Sequence, residues 1–368
     1  MKLEIHRKEF IDVLAGGSQF AGRNKTMAVL NNVKITVKGN QISVSSFDLE
    51  NAIVKRGQVI SSEEDICFLV DAKDLLNAMS SLKDDVVTLY ASLDVERLEI
   101  VHTKGKMALP VFDGSTFPTP KKEENANNIT LPSETLFNWL KIALNFVSTD
   151  NIRPTMTGVY LLKENGKIWC ASTDAHQLFA DYIECDIDDK VVDTILTPSA
   201  VKVITNMINE TNDVTLSIGE KNTVVRTPNC TLSTRKIEGR YPNFRCIIPK
   251  EALIKVNVNK TEIVDSVKRA IITANIGTSL LKMNIDGLNI KLESEDLDFA
   301  KKTHETITCN SANGEITIGV KGTLFSGILN LINSDTLNIE MNNVSSAIVI
   351  KTEDKPNMTM LVMPMLIS

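Results

Sequence analysis

Apolar positions recur along this chain in two rhythms. In one they fall three and four residues apart, as on one face of an α-helix. In the other they alternate with polar positions, as on a strand with one wet face. The helical rhythm runs through "RKEFIDVLAGG" from Arg7, "VDAKDLLNAMSSL" from Val70, "PSETLFNWLKIAL" from Pro132, "TPSAVKVITNMI" from Thr197, "KTEIVDSVKRAII" from Lys260 and "GVKGTLFSGILNLI" from Gly319. It predicts helices over 6–20, 71–83, 132–147, 197–210, 259–275 and 320–333. The first helix of each successive pair leads into an apolar strand: "VLNNVKITV", "MTGVYLL" or "SLLKMNI". The second leads through an acidic residue into an alternating one: "DDVVTLYAS", "NDVTLSIGE" or "SDTLNIEMN".

The order helix, strands, helix, strands therefore occurs three times, a repeat of about 120 residues. Phe10, Phe137 and Ile263 match in the opening helices, 127 and 126 residues apart, and Leu75, Val201 and Leu324 match in the second helices, 126 and 123 apart. Exposed connections rich in Pro, Lys and Glu are expected near 120–134 and 248–262. The fold class predicted is α+β: three tandem similar domains, 1–125, 126–250 and 251–368, each with two helices and antiparallel sheets. Asp48, Asp174 and Asp296 recur near matching places. His176 is answered by Glu50 or Asn51 in the first copy and by Leu297 or Asp298 in the third, so the scaffold itself does not require a histidine there.

Composition narrows the classes. Apolar residues make up 43% and charged residues 23% of the 368, which suits a folded globular protein. A net charge of −6 excludes a surface that is basic all over. The predicted helices hold ten Lys and Arg against eight Asp and Glu, a net +2 that leaves −8 for the remainder. That contrast is in the direction of helices facing an anion and sheets facing solvent. The six cysteines form no CxxC pair and no zinc spacing, so reduced thiols and no metal are expected. "MKLEIHRKEF" has no signal-peptide core, and no run of about 18 apolar residues exists, so neither export nor a membrane span is expected.

Three stretches carry candidate chemistry. In "STDAHQLFADYIE" from Ser172, Asp174 and His176 share a strand face and are the candidate acid/base pair. No nucleophile elbow, zincin, Walker or dinucleotide motif accompanies them, and a structural role or a place in a binding pocket fits them better than catalysis. "EGRYPNFRCIIP" from Glu238 gathers two arginines, two aromatics and two prolines into one stretch, as in a strand ending in a rigid loop. "MTMLVMPMLIS" makes the chain end apolar and rich in Met, where termini are usually polar, as would one wall of an adaptable groove.

Taken together, the triplication, "FDLE" (47–50), "TDAHQL" (173–178), "GRYPNFRCIIP" (239–249) and the terminal "MPML" (363–366) resemble the bacterial DNA polymerase sliding clamp family, the beta subunits of the replicative polymerase. The resemblance spans the whole chain. It implies a DNA-clamp fold and a head-to-tail homodimer closed into a ring, with twelve helices lining the hole. At roughly 9 Å spacing they give a diameter of about 35 Å between axes, room for a duplex about 20 Å across. It implies no catalysis and no cofactor. It implies partners that are double-stranded DNA, encircled without regard to sequence, a clamp loader, and replicative and repair polymerases docking by linear peptides, in the cytoplasm at the nucleoid.

Carried over residue by residue, the peptide pocket is Met156, Thr173, Ala175, His176, Gln177, Leu178, Pro242, Cys246, Ile247, Ser346, Leu361, Met363, Pro364 and Met365. The duplex contacts are Arg23, Asn24, Lys73, Arg153, Pro154 and Thr155. The ring seam joins Met107 and Leu109 to Ile271 and Ile272 of the partner chain. The family often has Gly and Arg where this chain has Ala175 and Gln177, Arg in place of Cys246, and Arg or Lys in place of Leu366, so this pocket is expected to be less basic. From the residues alone, an enzyme using Asp174 and His176, or a triplicated scaffold that never meets DNA, stays open.

Overall fold

The computed structural model describes every residue except 24–25, 121–125, 187–189, 209–212 and 368. Among the described residues the chain forms six α-helices: α1 (Arg7–Gly17), α2 (Ala72–Ser81), α3 (Ser133–Ala143), α4 (Pro198–Met207), α5 (Lys260–Thr273) and α6 (Gly322–Leu331). Each lies inside the segment that periodicity predicts. Local chemistry sets where they begin. Asp71 accepts the backbone N–H groups of Lys73 and Asp74 at the start of α2, Thr197 that of Ala200 in α4, and Asn259 that of Glu262 in α5. Such caps are each worth about 1 kcal/mol. Arg7 and Lys260, which open α1 and α5, donate their backbone N–H to the carbonyls of Asp85 and Asp335, one element repeated in two copies.

The helices bury the expected faces, with two one-residue corrections. Leu136, not Phe137, is the fully buried counterpart of Phe10 and Ile263. Phe325, not Leu324, is the counterpart of Leu75 and Val201. In both cases two adjacent apolar residues make the register ambiguous in the sequence, and burial selects one.

The chain gathers into two compact units. The first is Met1–Asn138 with Leu196–Lys236, and the second is Trp139–Ile195 with Ile237–Ser368. In the first, a five-stranded sheet runs Ser61–Ser62, Lys2–His6, Val86–Ser92, Arg97–His102, Gly105–Pro110. Beside it, a nine-stranded sheet joins strands of the first repeat to strands of the second where Asn51–Gln58 pairs with Cys230–Arg235, Ile53 opposite Leu232. The second unit has the same plan. Its nine-stranded sheet joins Gln177–Glu184 to Thr359–Val362, and its five-stranded sheet runs Lys301–Thr308, Asn289–Asp296, Leu280–Asp286, Ile316–Lys321, Pro364–Met365. Each long sheet thus draws on two of the three repeats. Strand faces alternate as read: Asn32–Lys38 and Leu280–Asp286 bury every second residue.

Candidate functional site

The turn at 173–177 is built by its own side chains. Asp174 Oδ1 accepts the N–H of His176 (2.8 Å) and of Gln177 (2.9 Å), and its Oδ2 accepts from the Gln177 amide (3.1 Å). Thr173 Oγ1 donates to the Gln177 carbonyl (2.7 Å) and accepts the N–H of Ala175 (3.1 Å). Both carboxylate oxygens are engaged within the turn, by two backbone N–H groups and the Gln177 amide, so Asp174 and His176 are not an acid/base pair. The first repeat builds the same turn: Asp48 Oδ1 accepts the N–H of Glu50 (3.0 Å) and Asn51 (2.6 Å), and Asn51 donates its amide to Oδ2 (3.2 Å). The third repeat does not. The strands pair Phe47 with Ala52, Thr173 with Leu178 and Asp296 with Lys301. Leu297 therefore stands where Asp48 and Asp174 stand, and Phe299 where Glu50 and His176 stand. The expected equivalence of Asp296, and of Leu297 or Asp298 to His176, is corrected by that register.

These turns hold a non-glycine residue in left-handed backbone, Leu49 at φ 81° and Ala175 at φ 76°. An L side chain is strained there by about 1–2 kcal/mol, whereas glycine is not. Ala175→Gly is expected to raise stability by about 0.5–1 kcal/mol after the entropy of the unfolded glycine is subtracted. A urea titration checks this, and a lower midpoint would refute it.

The chain end meets this turn. Leu178 lies opposite Leu361 and Gln177 opposite Val362, and Met363 donates its N–H to the His176 carbonyl (2.8 Å). At Met363 the chain leaves the nine-stranded sheet, and Pro364 and Met365 pair with Val320 and Gly319 on the edge of the five-stranded one. An edge is where a proline is tolerated.

The loop 239–248 folds over the same apolar floor. Tyr241 stacks on Tyr160 (centroids 4.5 Å apart, planes at 6°), and Phe244 meets Tyr160 edge-on at 6.3 Å. Leu178, Leu361, Tyr241 and Phe244 form one buried cluster, with Met363 and Ile248 partly buried against it. Burial pushes the Tyr160 and Tyr241 hydroxyls above their ordinary range, and the Asp193 carboxylate adds to this at Tyr160, so both stay neutral. In the turn 173–177 and the loop 239–248, Ala175, His176, Pro242, Cys246 and Ile247 are exposed.

Of the other predicted pocket residues, Met156, Thr173, Gln177, Leu178 and Leu361 are buried, and Ser346, Met363, Pro364 and Met365 are half-buried. Met156 accepts the N–H of Ser148 in a turn next to Thr155, whose methyl closes on Gly239 (φ 122°). Sequence reasoning missed Tyr160 and Asn145, whose carbonyl accepts the Gln177 amide (3.1 Å). Neither carries a local signal, since both reach the site by long-range packing.

The other predicted residues belong to the duplex and seam sets. Arg23 is exposed with its guanidinium 4.7 Å from the Phe20 ring centroid. Asn24 lies outside the described residues. Lys73 is exposed in the first turn of α2, and Arg153 and Pro154 are exposed with Thr155 half-buried. Met107 and Leu109 sit half-buried on the edge strand Gly105–Pro110. On α5, Ile271 turns inward toward Gly322 and Ile272 stands 74% exposed. Among the described residues no cluster of His, Cys, Asp and Glu is placed to hold a metal, and no helix is long and apolar enough to cross a membrane.

Comparison with known proteins matches this architecture domain by domain. Residues 1–121 match the N-terminal domain of the DNA polymerase III beta subunit, 130–243 its central domain and 245–366 its C-terminal domain. The chain belongs to the DNA polymerase III beta subunit family. The beta sliding clamp of Haemophilus influenzae is 21% identical, with 99% of this chain and 100% of that one covered. That of Bacillus subtilis is 19% identical, with 99% of each covered. The crystal structure of the B. subtilis clamp superposes with a TM-score of 0.91 at 19% identity, and that of a Pseudomonas aeruginosa clamp bound to griselimycin with 0.94 at 18%, each covering 100% of both chains. Beta clamps are processivity factors of DNA replication and not enzymes, in keeping with an Asp174 engaged entirely in its turn.

Proposed function

We propose that two copies of this chain, each divided into clamp domains at 1–125, 126–250 and 251–368, close head to tail around duplex DNA. The ring slides because binding is topological. Arg23, Asn24, Lys73 and the 153–155 turn supply weak, screened contacts to phosphate. Polymerases and the clamp loader dock by short linear peptides on the groove of the second unit, and the complex works in the cytoplasm at the nucleoid. The observation that carries the tethering half of this reading is the meeting of the 173–178 turn with the Met-rich chain end over one apolar floor, with His176 of that turn and Pro242, Cys246 and Ile247 of the 239–248 loop exposed. A peptide that lays apolar side chains there gains hydrophobic burial without asking the clamp to fold further.

Retention on DNA tests the ring. Loaded clamp is expected to stay on nicked circular DNA and to leave once the circle is cut; equal loss from both would sink the reading. Cys246 tests the groove. It is the exposed one of six cysteines, and Cys170, Cys230 and Cys309 are buried. Burial holds the Cys230 thiol up at about 11. Maleimide is expected to label Cys246 first, and a polymerase tail peptide to slow that labelling at least about tenfold, in proportion to its occupancy. Labelling unaffected by saturating peptide would place the docking site elsewhere.

A further inference from the structure

Two of the sheet edges suit a second copy in the ring reading. Gly105–Pro110 ends the five-stranded sheet of the first unit, and Lys301–Thr308 ends that of the second. Each presents a row of backbone groups open to another strand. Neither edge is equipped for an ion-pair seam. Gly105–Pro110 carries one charge, Lys106, which already leans on Glu99 of its own sheet (3.4 Å). Lys301–Thr308 brings Lys301 and Lys302 and a single carboxylate, Glu305, which Arg269 of its own chain binds at 2.7 and 2.8 Å. Lys302 leans on Glu295 of its own sheet (3.8 Å), so the charges on both edges are largely engaged within their own chain.

Apolar surface lies at one end of each edge. The turn 297–300, which opens Lys301–Thr308, replaces the polar turns of the first two repeats with Leu297 (83% exposed) and Phe299 (65% exposed). On the other edge, Pro110 pairs with Arg97, and the turn before Arg97 holds Val95 (66% exposed), with Phe112 (47% exposed) just beyond Pro110. The opposite end, at Gly105, is polar: His102, Thr103 and Lys104, with Thr103 bound to Asp84. The strand pairs within both five-stranded sheets are antiparallel. An antiparallel join of the two edges sets the 297–300 turn against the Val95 and Phe112 end, whereas a parallel join would set it against the polar one.

We propose that the seam between copies is held by apolar contact of Leu297 and Phe299 with the partner's Val95 and the partner's Phe112, and not by ion pairs between the edge strands. This rests on the ring reading and deepens it. It has an unusual signature. With no ion pair across the seam for salt to screen, the dimer holds or tightens as salt rises from about 0.05 M to about 0.5 M, where an ion-pair seam would loosen.

The test is the monomer–dimer equilibrium of the full chain, measured by mass photometry or sedimentation across that salt range. Phe299→Gln is expected to fold, because this turn position carries Glu50 and His176 in the other repeats. It should raise the dissociation constant at least about tenfold, a typical cost for an interface anchor. Val95→Gln should do the same, and the double variant should be little worse than either single one, because both remove one contact. A wild-type dimer that loosens with salt, or a Phe299→Gln dimer unchanged within about twofold, overturns the seam assignment and leaves the ring reading standing. A wild-type chain that stays monomeric under all these conditions overturns both.

Discussion

Ile272→Lys is expected to open the ring. Ile272 lies in the last turn of α5 with its side chain largely in solvent, while Ile271 beside it is turned inward toward Gly322. A lysine in the last turn of a helix complements the helix dipole, so the substitution keeps α5 and acts on whatever covers residue 272. In a closed seam it replaces a buried apolar side chain by a charge, beside strands that already carry Lys301 and Lys302. A cost of about 2–4 kcal/mol corresponds to a dissociation constant raised roughly 30-fold or more. Retention on nicked circular DNA should fall to the level seen on linear DNA, while thermal unfolding of the dilute monomer stays in place. A dimer unchanged within about twofold would remove α5 from the seam. A monomer that melts earlier would mean that Ile272 packs in its own chain.

What was legible in the sequence, and what was not, follows the range of the interactions involved. Helices and alternating strands are local patterns, and all six helices lie within the segments read from periodicity. The repeat was legible because the same pattern returned at a nearly constant spacing. Where two apolar neighbours competed, as at Leu136 and Phe137 or Leu324 and Phe325, the period could not choose between them, and packing did. The pairing of Ile53 with Leu232, which runs one sheet through two repeats, left no local trace. The groove was half legible. "TDAHQL" and "MPML" stood out as stretches, but their meeting depends on Leu178 finding Leu361, far away in sequence. The same limit explains the turn at Asp174. Asp174 and His176 were visible and raised the question of an acid/base pair, and only the hydrogen bonds show that the carboxylate serves its own turn.

Gly319→Val is expected to cost most of the peptide affinity while sparing the ring. A Cβ at Gly319 would stand 2.6 Å from the Met365 carbonyl and 3.0 Å from side-chain carbons of Ile367 and Leu280. The nearest atom is backbone, so no rotamer relieves the clash, and the larger valine worsens it. One partner has to give. The strand Ile316–Lys321 is held along its length by Leu280–Asp286, from Leu280 opposite Lys321 to Ile285 opposite Ile316. The last strand is held by two pairs alone, Gly319 with Met365 and Val320 with Pro364. The chain end is therefore what lifts. Thr359–Val362 stays clamped between Gln177–Glu184 and Ile348–Lys351, so the apolar floor of the groove survives and its wall at Pro364 and Met365 does not. Binding of a labelled polymerase tail peptide should weaken at least about tenfold, the loss of roughly one buried apolar anchor, with the dimer constant unchanged. Gly327→Ala is the matched control: it sits within α6 with nothing within 4 Å of the added carbon, and alanine there favours the helix by about 0.5–1 kcal/mol. Peptide affinity that survives Gly319→Val, with the chain end shown by hydrogen exchange to be released, would mean that the Met-rich terminus is not a wall of the groove.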